Sequence, residues 1–479
     1  MKVLHTSAEC YPAAKAGGLG DVVGALPKYL TAGGNTAAVI LPKYQQKWIL
    51  EQQFTIVFQS SFRLHNQTIF FSIEKIDDEI LGYPFYVAAI PGKFDRPGIY
   101  ADPHSGYPYG DETERYICFQ QAILTWVKSL IEKPKIIHCH DHHTGLIPFM
   151  MKHCPEYKIL KDIPTVFTIH NGQYHGAFSW SKMHLLPFFD AEAYGLLDWN
   201  DTINSLATGV KCAWKVTTVS PSYMEELSYN SLGLENLFKQ EKEKCIGIIN
   251  GIDNEVWNPS TDTFIYKTFE EDIDDFKAEN KKAICHRFKI DYNLPLITFI
   301  GRLVGEKGAD LLIELITRFI GNGNKAAFVV LGTGDPKLKE QFLRLKEYFI
   351  NYYDTSLEYN EGLSHQLYAG SDFLIMPSRV EPCGLNQLYS FRYGTIPIVR
   401  TVGGLKDTVI DIGDDNGRGI RFNNFSISDI YMAASRAVSL YENKETIKEI
   451  RKRIMKLDFS WEQSCKNYLN IYKNLDSKF

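Results

Sequence analysis

Short runs of β-branched and other apolar residues alternate with helical patterns along most of this chain, and that alternation leaves few folds open. The runs predict strands at Val3–Thr6, Ala37–Leu41, Tyr86–Ile90, Ile136–Cys139, Thr165–Ile169 and Val216–Val219. A second series follows at Leu296–Ile300, Ala327–Leu331, Phe373–Met376 and Ile396–Val399. Each run is short, continuous and bounded by Gly, Pro, Asp, Asn or His, as buried parallel strands are. Helical patterns fill the intervals. One is Leu311–Ile320, with Asp310 placed to cap it and Gly321 and Gly323 to end it. The βαβ alternation predicts an α/β protein with two Rossmann-like, doubly wound domains facing across a cleft.

The expected divisions are residues 1–245, 246–458 and a last amphipathic helix in 459–479, read from Phe459–Asn474. Asn258–Lys282 reads as a charged, less regular excursion on the surface, and Gln53–Tyr86 as another irregular stretch. Such stretches count against a single eight-fold βα barrel. No internal repeat or low-complexity tract is visible.

Composition narrows the class. The 479 residues are 44% hydrophobic and 23% charged with a net charge of −5, which argues against disorder and against nucleic acid or anionic membrane as main partners. Nine scattered cysteines suit reduced thiols in a cytoplasm better than a disulfide framework. The opening apolar stretch is too short for a signal core, and no run is long enough to cross a membrane. The expectation is a soluble, cytoplasmic protein.

Six motifs each follow a predicted strand. Lys15-Ala16-Gly17-Gly18-Leu19-Gly20-Asp21 leads into a helix. Its glycines admit close approach of a ligand, its helix-start N–H groups suit an anion, and Lys15 adds a charge. A plain tight turn is the alternative. The chain holds neither G-x-G-x-x-G nor a P-loop. His138-Cys139-His140-Asp141-His142-His143 has the residue types of a metal site without the spacing of one. It reads instead as a strand end with Asp141 capping the next helix. Thr168-Ile169-His170-Asn171 offers an imidazole to a substrate oxygen, or to backbone. In Gly301–Gly308, Arg302 and Lys307 stand five apart among glycines and suit a diphosphate. In Pro377–Leu385, Glu381 sits in a turn framed by Pro and Gly, a rigid mount for a carboxylate. Gly403-Gly404-Leu405 closes the set. Ligands of open α/β sheets bind at the carboxyl ends of the strands, which is where all six fall.

Together these motifs resemble the bacterial glycogen synthases and plant starch synthases that use ADP-glucose and have the GT-B fold. The resemblance spans essentially the whole chain. It rests on Lys15–Leu19, His138–Asp141, Thr168–Asn171, Val219–Pro221, Ile248–Asp253, Arg302–Gly308, Pro377–Leu385 and Gly403–Val409. It implies an α-1,4-glucan glucosyltransferase that retains configuration and needs no cofactor or metal, with ADP-glucose as donor and glycogen as acceptor. It assigns catalysis to Glu381, His170, Arg302 and Lys307. It assigns nucleotide-sugar and substrate contacts to Lys15, Gly17, Gly18, Asp21, Asp141, Asn250, Cys383, Gly384, Leu385, Gly403 and Gly404. The sequence departs from the family where Ala207 stands in Asn204–Gly209 at a place usually held by Lys, and where Gly172-Gln173 follows the T-I-H-N motif. A UDP-glucose enzyme and a non-catalytic glucan-binding relative are the alternatives, and turnover with each donor separates them.

Overall fold

Burial decides which apolar runs become strands. In the computed structural model, which describes residues 2–103 and 105–476, ten runs lie in fully or nearly fully buried parallel strands. The chain divides into two compact units. One gathers the described residues up to Val219, Met224–Gly251 and those from Trp461 onward. The other gathers Ser220–Tyr223 and Ile252–Ser460.

The first unit holds β1 (Lys2–Thr6), β2 (Thr36–Pro42), β3 (Phe54–Leu64), β4 (Gln67–Ile76), β5 (Phe85–Ala89), β6 (Ile136–His140) and β7 (Thr165–Ile169). It continues with β8 (Ala177–Ser179), β9 (Asp198–Trp199), β10 (Thr202–Asn204), β11 (Lys215–Thr218) and β12 (Cys245–Gly247). Nine of these form one sheet in the order β12-β11-β7-β6-β1-β2-β5-β4-β3, and β8, β10 and β9 form a small antiparallel sheet. The large sheet is parallel from β12 to β5, and β4 and β3 extend it as an antiparallel ribbon. The expectation of an irregular stretch at Gln53–Tyr86 is therefore corrected. The ribbon was hidden because only part of one face is covered. Phe62, Phe71 and Ile73 are buried, while Ile56, Val57 and Phe70 face outward, so polar/apolar alternation is blurred.

The second unit holds β13 (Leu296–Ile300), β14 (Ala327–Leu331), β15 (Tyr353–Ser356), β16 (Phe373–Met376), β17 (Ile396–Arg400) and β18 (Ile420–Phe422), all parallel in the order β15-β14-β13-β16-β17-β18. In both sheets the strand order reverses once, between β1 and β6 and between β13 and β16. Loops on either side of such a reversal splay apart and leave room for a ligand.

Two helix starts differ from expectation. Asn258–Lys282 is not irregular throughout, because the helix Ile273–Phe288 begins within it, capped by Asp272 accepting from the Asp274 N–H. Asp310 does not cap its helix. The helix Ala309–Gly321 starts earlier, after Gly308 at φ 75°, where a Cβ would lie 2.1 Å from the Pro377 carbonyl oxygen. That close approach demands glycine and fixes the helix start. It leaves Asp310 in the first turn, where Arg379 holds its carboxylate at 2.8 and 2.7 Å.

The helix Trp461–Asp476 belongs to the core of the first unit. Trp461, Tyr468, Tyr472 and Leu475 pack with Val22, Leu26 and Leu30 of the helix Gly18–Ala32. Among the described residues no helix is long and apolar enough to cross a membrane. All nine cysteines are free.

Candidate active site

At the carboxyl edge of the first sheet, period-two geometry puts His138 and His140 of β6 on one face, and register places His5 of β1 opposite His138. Six polar side chains, among them Thr168 and Tyr472, then meet in a buried space. His5 Nδ1 lies 3.0 Å from His140 Nε2, and His140 Nδ1 lies 3.0 Å from His170 Nε2. His138 is held separately, by the Tyr472 hydroxyl and the Thr168 hydroxyl, each at 2.6 Å. Burial drives the pKa of His5 and of His170 down to about 3, so these rings are neutral at physiological pH. His170 keeps 8% exposure, whereas His5 and His140 have none.

Asp141 was expected to cap a helix. Its side chain instead accepts from the His170 N–H at 2.7 Å, and its backbone adopts φ 56°. It thereby ties the loop after β6 to the loop after β7. Burial pushes its carboxyl up to about 7, against the pull of the His170 N–H. Distance alone would let His5, His138 and His140 share a metal ion, and likewise Glu112, His142 and His143. In the first group both nitrogens of His138 and of His140 are already engaged in the bonds just described, so the donor set fits a hydrogen-bonded network.

The glycine motif after β1 has an ionic neighbour that the sequence did not show. The buried Glu9 carboxylate accepts from the Ala16 N–H at 2.6 Å, the Gly17 N–H at 2.9 Å and the Tyr100 hydroxyl at 2.6 Å. Glu9 thus takes up two N–H groups just ahead of the helix Gly18–Ala32. A Cβ on Gly17 or Gly18 would meet nothing within 4 Å, so the space beside them is open. Lys15 forms an ion pair with Asp21 at 2.6 Å. Glu9 was not identified from sequence, since nothing local links it to Tyr100, 91 positions away. Asn250 is buried, and its Oδ1 has no hydrogen-bond partner among the described residues. Ala207 is fully buried. Its N–H is taken by the Asn204 side chain at 2.9 Å, and it brings no charge where a lysine is usual in the family.

At the carboxyl edge of the second sheet the groups are ionic. The Lys307 ammonium lies 2.7 Å from Glu381 Oε1, and the Ser378 hydroxyl donates to Glu381 Oε2 at 2.8 Å. Glu381 is buried, and Lys307 is about one-fifth exposed. The turn that carries Glu381 is clamped from behind. A Cβ on Gly403, at φ 44°, would lie 2.0 Å from the Glu381 carbonyl oxygen, and one on Gly404 would lie 2.0 Å from that of Cys383. These two glycines therefore have a packing reason for being glycine. Gly384 at φ 74° and Leu385 lead into the helix Asn386–Arg392, and Cys383 is buried behind them. Arg302 stands apart from this cluster, with its side chain 57% exposed and its ion-pair partner, Glu306, at 3.7 Å. Ser378 and Arg379 were not singled out from sequence. Arg379 pairs with Asp310 and lies over the Phe425 ring at 3.7 Å.

Residues 2–240 match the family described as the starch synthase catalytic domain, and residues 280–453 match the glycosyl transferases group 1 family. The chain is 46% identical to a glycogen synthase of Flavobacterium johnsoniae, over 98% of each chain. It is 34% identical to a glycogen synthase of Alkaliphilus metalliredigens, over 99% of this chain and 100% of that one. Among solved structures, the catalytic domain of starch synthase IV from Arabidopsis thaliana, bound to ADP and acarbose, superposes with a TM-score of 0.86 at 31% identity, over 99% of each chain. A sucrose-phosphate synthase from Thermosynechococcus elongatus shares the fold alone, with a TM-score of 0.63 at 15% identity over 100% of each chain. Two Rossmann-like units with these signatures, matched end to end, make the chain a GT-B glucosyltransferase of the glycogen synthase and starch synthase family.

Proposed function

We propose that this enzyme acts as a glycogen synthase, taking glucose from ADP-glucose and adding it to the non-reducing end of an α-1,4-glucan with retention of configuration. The observation that carries the reading is the buried Glu381 carboxylate, held by Lys307 and Ser378 beside the strand reversal of the second sheet. A desolvated carboxylate with one ammonium beside it suits a reaction in which a sugar ring gains positive charge while a diphosphate gains negative charge. The starch synthase relative bound to ADP supports the choice of nucleotide.

In this mechanism the bond from glucosyl C1 to the diphosphate oxygen breaks, and ADP leaves with the electron pair. The acceptor hydroxyl forms its bond to C1 on the same face, and its proton passes to the departing phosphate oxygen. Glu381 balances the oxocarbenium-like ring. Lys307 and Arg302 neutralise the diphosphate, so no divalent ion takes part. His170 bonds the glucosyl group. Lys15, Gly17 and Gly18, with Asp21 paired to Lys15, serve the nucleotide-sugar. Asp141 and Asn250 line the substrate site, and the buried Asn250 Oδ1 is available to a hydroxyl. Cys383, Gly384, Leu385, Gly403 and Gly404 shape the donor pocket around Glu381. Its setting in this reading is the cytoplasm, and nine free thiols suit that reducing compartment.

The test is transfer of radiolabelled glucose onto glycogen from ADP-glucose and, separately, from UDP-glucose. Transfer from ADP-glucose with little from UDP-glucose is expected. The reverse ranking overturns the donor assignment, and no transfer from either overturns the catalytic one.

A further inference from the structure

The three imidazoles His5, His140 and His170 form an unbranched line, and a line of neutral imidazoles has a direction. Each neutral ring carries one N–H and one bare nitrogen. If His5 donates from Nδ1 to His140 Nε2, then His140 must carry its proton on Nδ1 and donate to His170 Nε2. His170 is then protonated on Nδ1. The opposite direction reverses every ring and leaves His170 Nδ1 bare. No mixed arrangement satisfies both 3.0 Å contacts. His138 does not tap the line, because Tyr472 and Thr168 occupy its two nitrogens.

The ends of the line decide between the two directions. His5 Nε2 and His170 Nδ1 are both buried without a hydrogen-bond partner in the free protein. Whichever direction holds, one end presents an N–H and the other a lone pair. An N–H without an acceptor pays its whole desolvation cost. At His5, fully enclosed, that cost is permanent. His170, the one residue of the three that keeps any exposure, stands in the loop after β7, where a substrate oxygen that reaches the buried Nδ1 can supply the acceptor.

We infer that His140 and His5 are positioning residues that lock His170 in its Nδ1–H tautomer, so that it offers the transferred glucosyl group a hydrogen-bond donor and not an acceptor. The inference rests on the reading above that His170 serves the sugar. Its specificity consequence is that an oxygen acceptor on the sugar is required where His170 meets it.

The direct test is a long-range proton–nitrogen correlation spectrum of the full-length enzyme labelled with nitrogen-15 in its 13 histidines. The His170 signals are identified by their loss in His170→Gln. The expected result at neutral pH is a single Nδ1–H tautomer for His170, and an Nε2–H tautomer in the unaltered enzyme overturns the inference. His5→Ala removes the donor at the head of the line and opens a polar space that water fills. Water both donates and accepts, so the His170 signal should split between tautomers. Turnover with ADP-glucose, as kcat/KM, should then fall with the Nδ1–H fraction, roughly 3–10-fold. His5→Asn keeps an amide N–H near the position of Nδ1 and should restore both spectrum and rate. A His5→Ala enzyme with unsplit His170 signals and full activity shows that His5 positions nothing. The parent reading fails differently: His170→Ala with unchanged turnover removes His170 from the sugar altogether, whatever its tautomer.

Discussion

At the carboxyl edge of the first sheet burial strips charge away. His5, His140 and His170 are enclosed and held neutral, and Asp141 is pushed toward its protonated form. At the carboxyl edge of the second sheet a carboxylate is just as enclosed, yet it is accompanied by an ammonium at 2.7 Å and a hydroxyl at 2.8 Å. The two edges occupy the same topological position and handle desolvation in opposite ways. Neutral groups read hydroxyls by donor and acceptor pattern, whereas ionic groups respond to charge that develops during a reaction. In the proposed mechanism recognition falls to the first edge and transition-state electrostatics to the second.

The sharpest way to break that assignment is Glu381→Gln, which keeps size and most hydrogen-bonding capacity while removing the charge. Turnover should fall by about 10²-fold or more, with ADP binding by calorimetry little changed. Equal loss of ADP affinity would move Glu381 to the nucleotide pocket, and unchanged turnover would leave its turn purely structural. Next come Lys307→Ala and Arg302→Ala. Losing a cation from a closed site costs about 2–4 kcal/mol of transition-state stabilisation. Lys307 should lie at the upper end because its loss also strands the buried Glu381 carboxylate, whereas the exposed Arg302 has only a loose partner. Kinetics with ADP-glucose on both variants checks the order, and Arg302 proving the more damaging would relocate the diphosphate grip.

The first edge should show itself in stability more than in rate. Free imidazole titrates near 6.5, and folded His5 and His170 near 3. A depressed pKa means that their stabilisation is complete above 6.5 and is lost as pH falls toward 3. Each ring adds a slope of about 1.4 kcal/mol per pH unit over that window. Asp141 has the opposite sign. Its pKa is raised from 3.8 to about 7, so its contribution is complete below 3.8 and is lost as pH rises through 7. Calorimetric melting across pH should therefore show steep acid loss, and Asp141→Asn should move the optimum upward. Stability that keeps rising into acid would contradict neutral, buried rings. The smallest effect expected is none: activity should survive excess chelator, and loss rescued by Mg²⁺ or Zn²⁺ would put a cation among the neutralising groups.

The parallel strands were legible because a strand buried on both faces writes a continuous apolar run. Thr165–Ile169, Leu296–Ile300, Ala327–Leu331 and Phe373–Met376 match to the residue. The ribbon of β3 and β4 was not, because its outward face carries Ile56, Val57 and Phe70 beside polar neighbours. Asp310 and Asp141 were misread because each has the chemistry of a cap. Gly308, pressed against Pro377, starts the helix before Asp310 could cap it, and the His170 N–H takes the Asp141 carboxylate. The imidazole line was partly visible, since His140 and His170 each fall in a motif that follows a predicted strand. Its completion by His5 depends on which strands are neighbours, and no local pattern states that. Glu9 gave no signal at all, because its partners are backbone groups and a tyrosine far along the chain.

The helix Trp461–Asp476 gives the chain an unusual order of completion during synthesis. Its Tyr472 hydroxyl holds His138, and its aromatic face fills the core beside the helix Gly18–Ala32. The first unit to leave the ribosome therefore lacks part of its interior until everything from Ile252 to Ser460 has been translated. At ordinary elongation rates of roughly 5–20 residues per second, that wait is on the order of 10–40 s. The second unit is translated during that wait and has its whole sequence before Trp461 is added, and so the half that begins first is finished last.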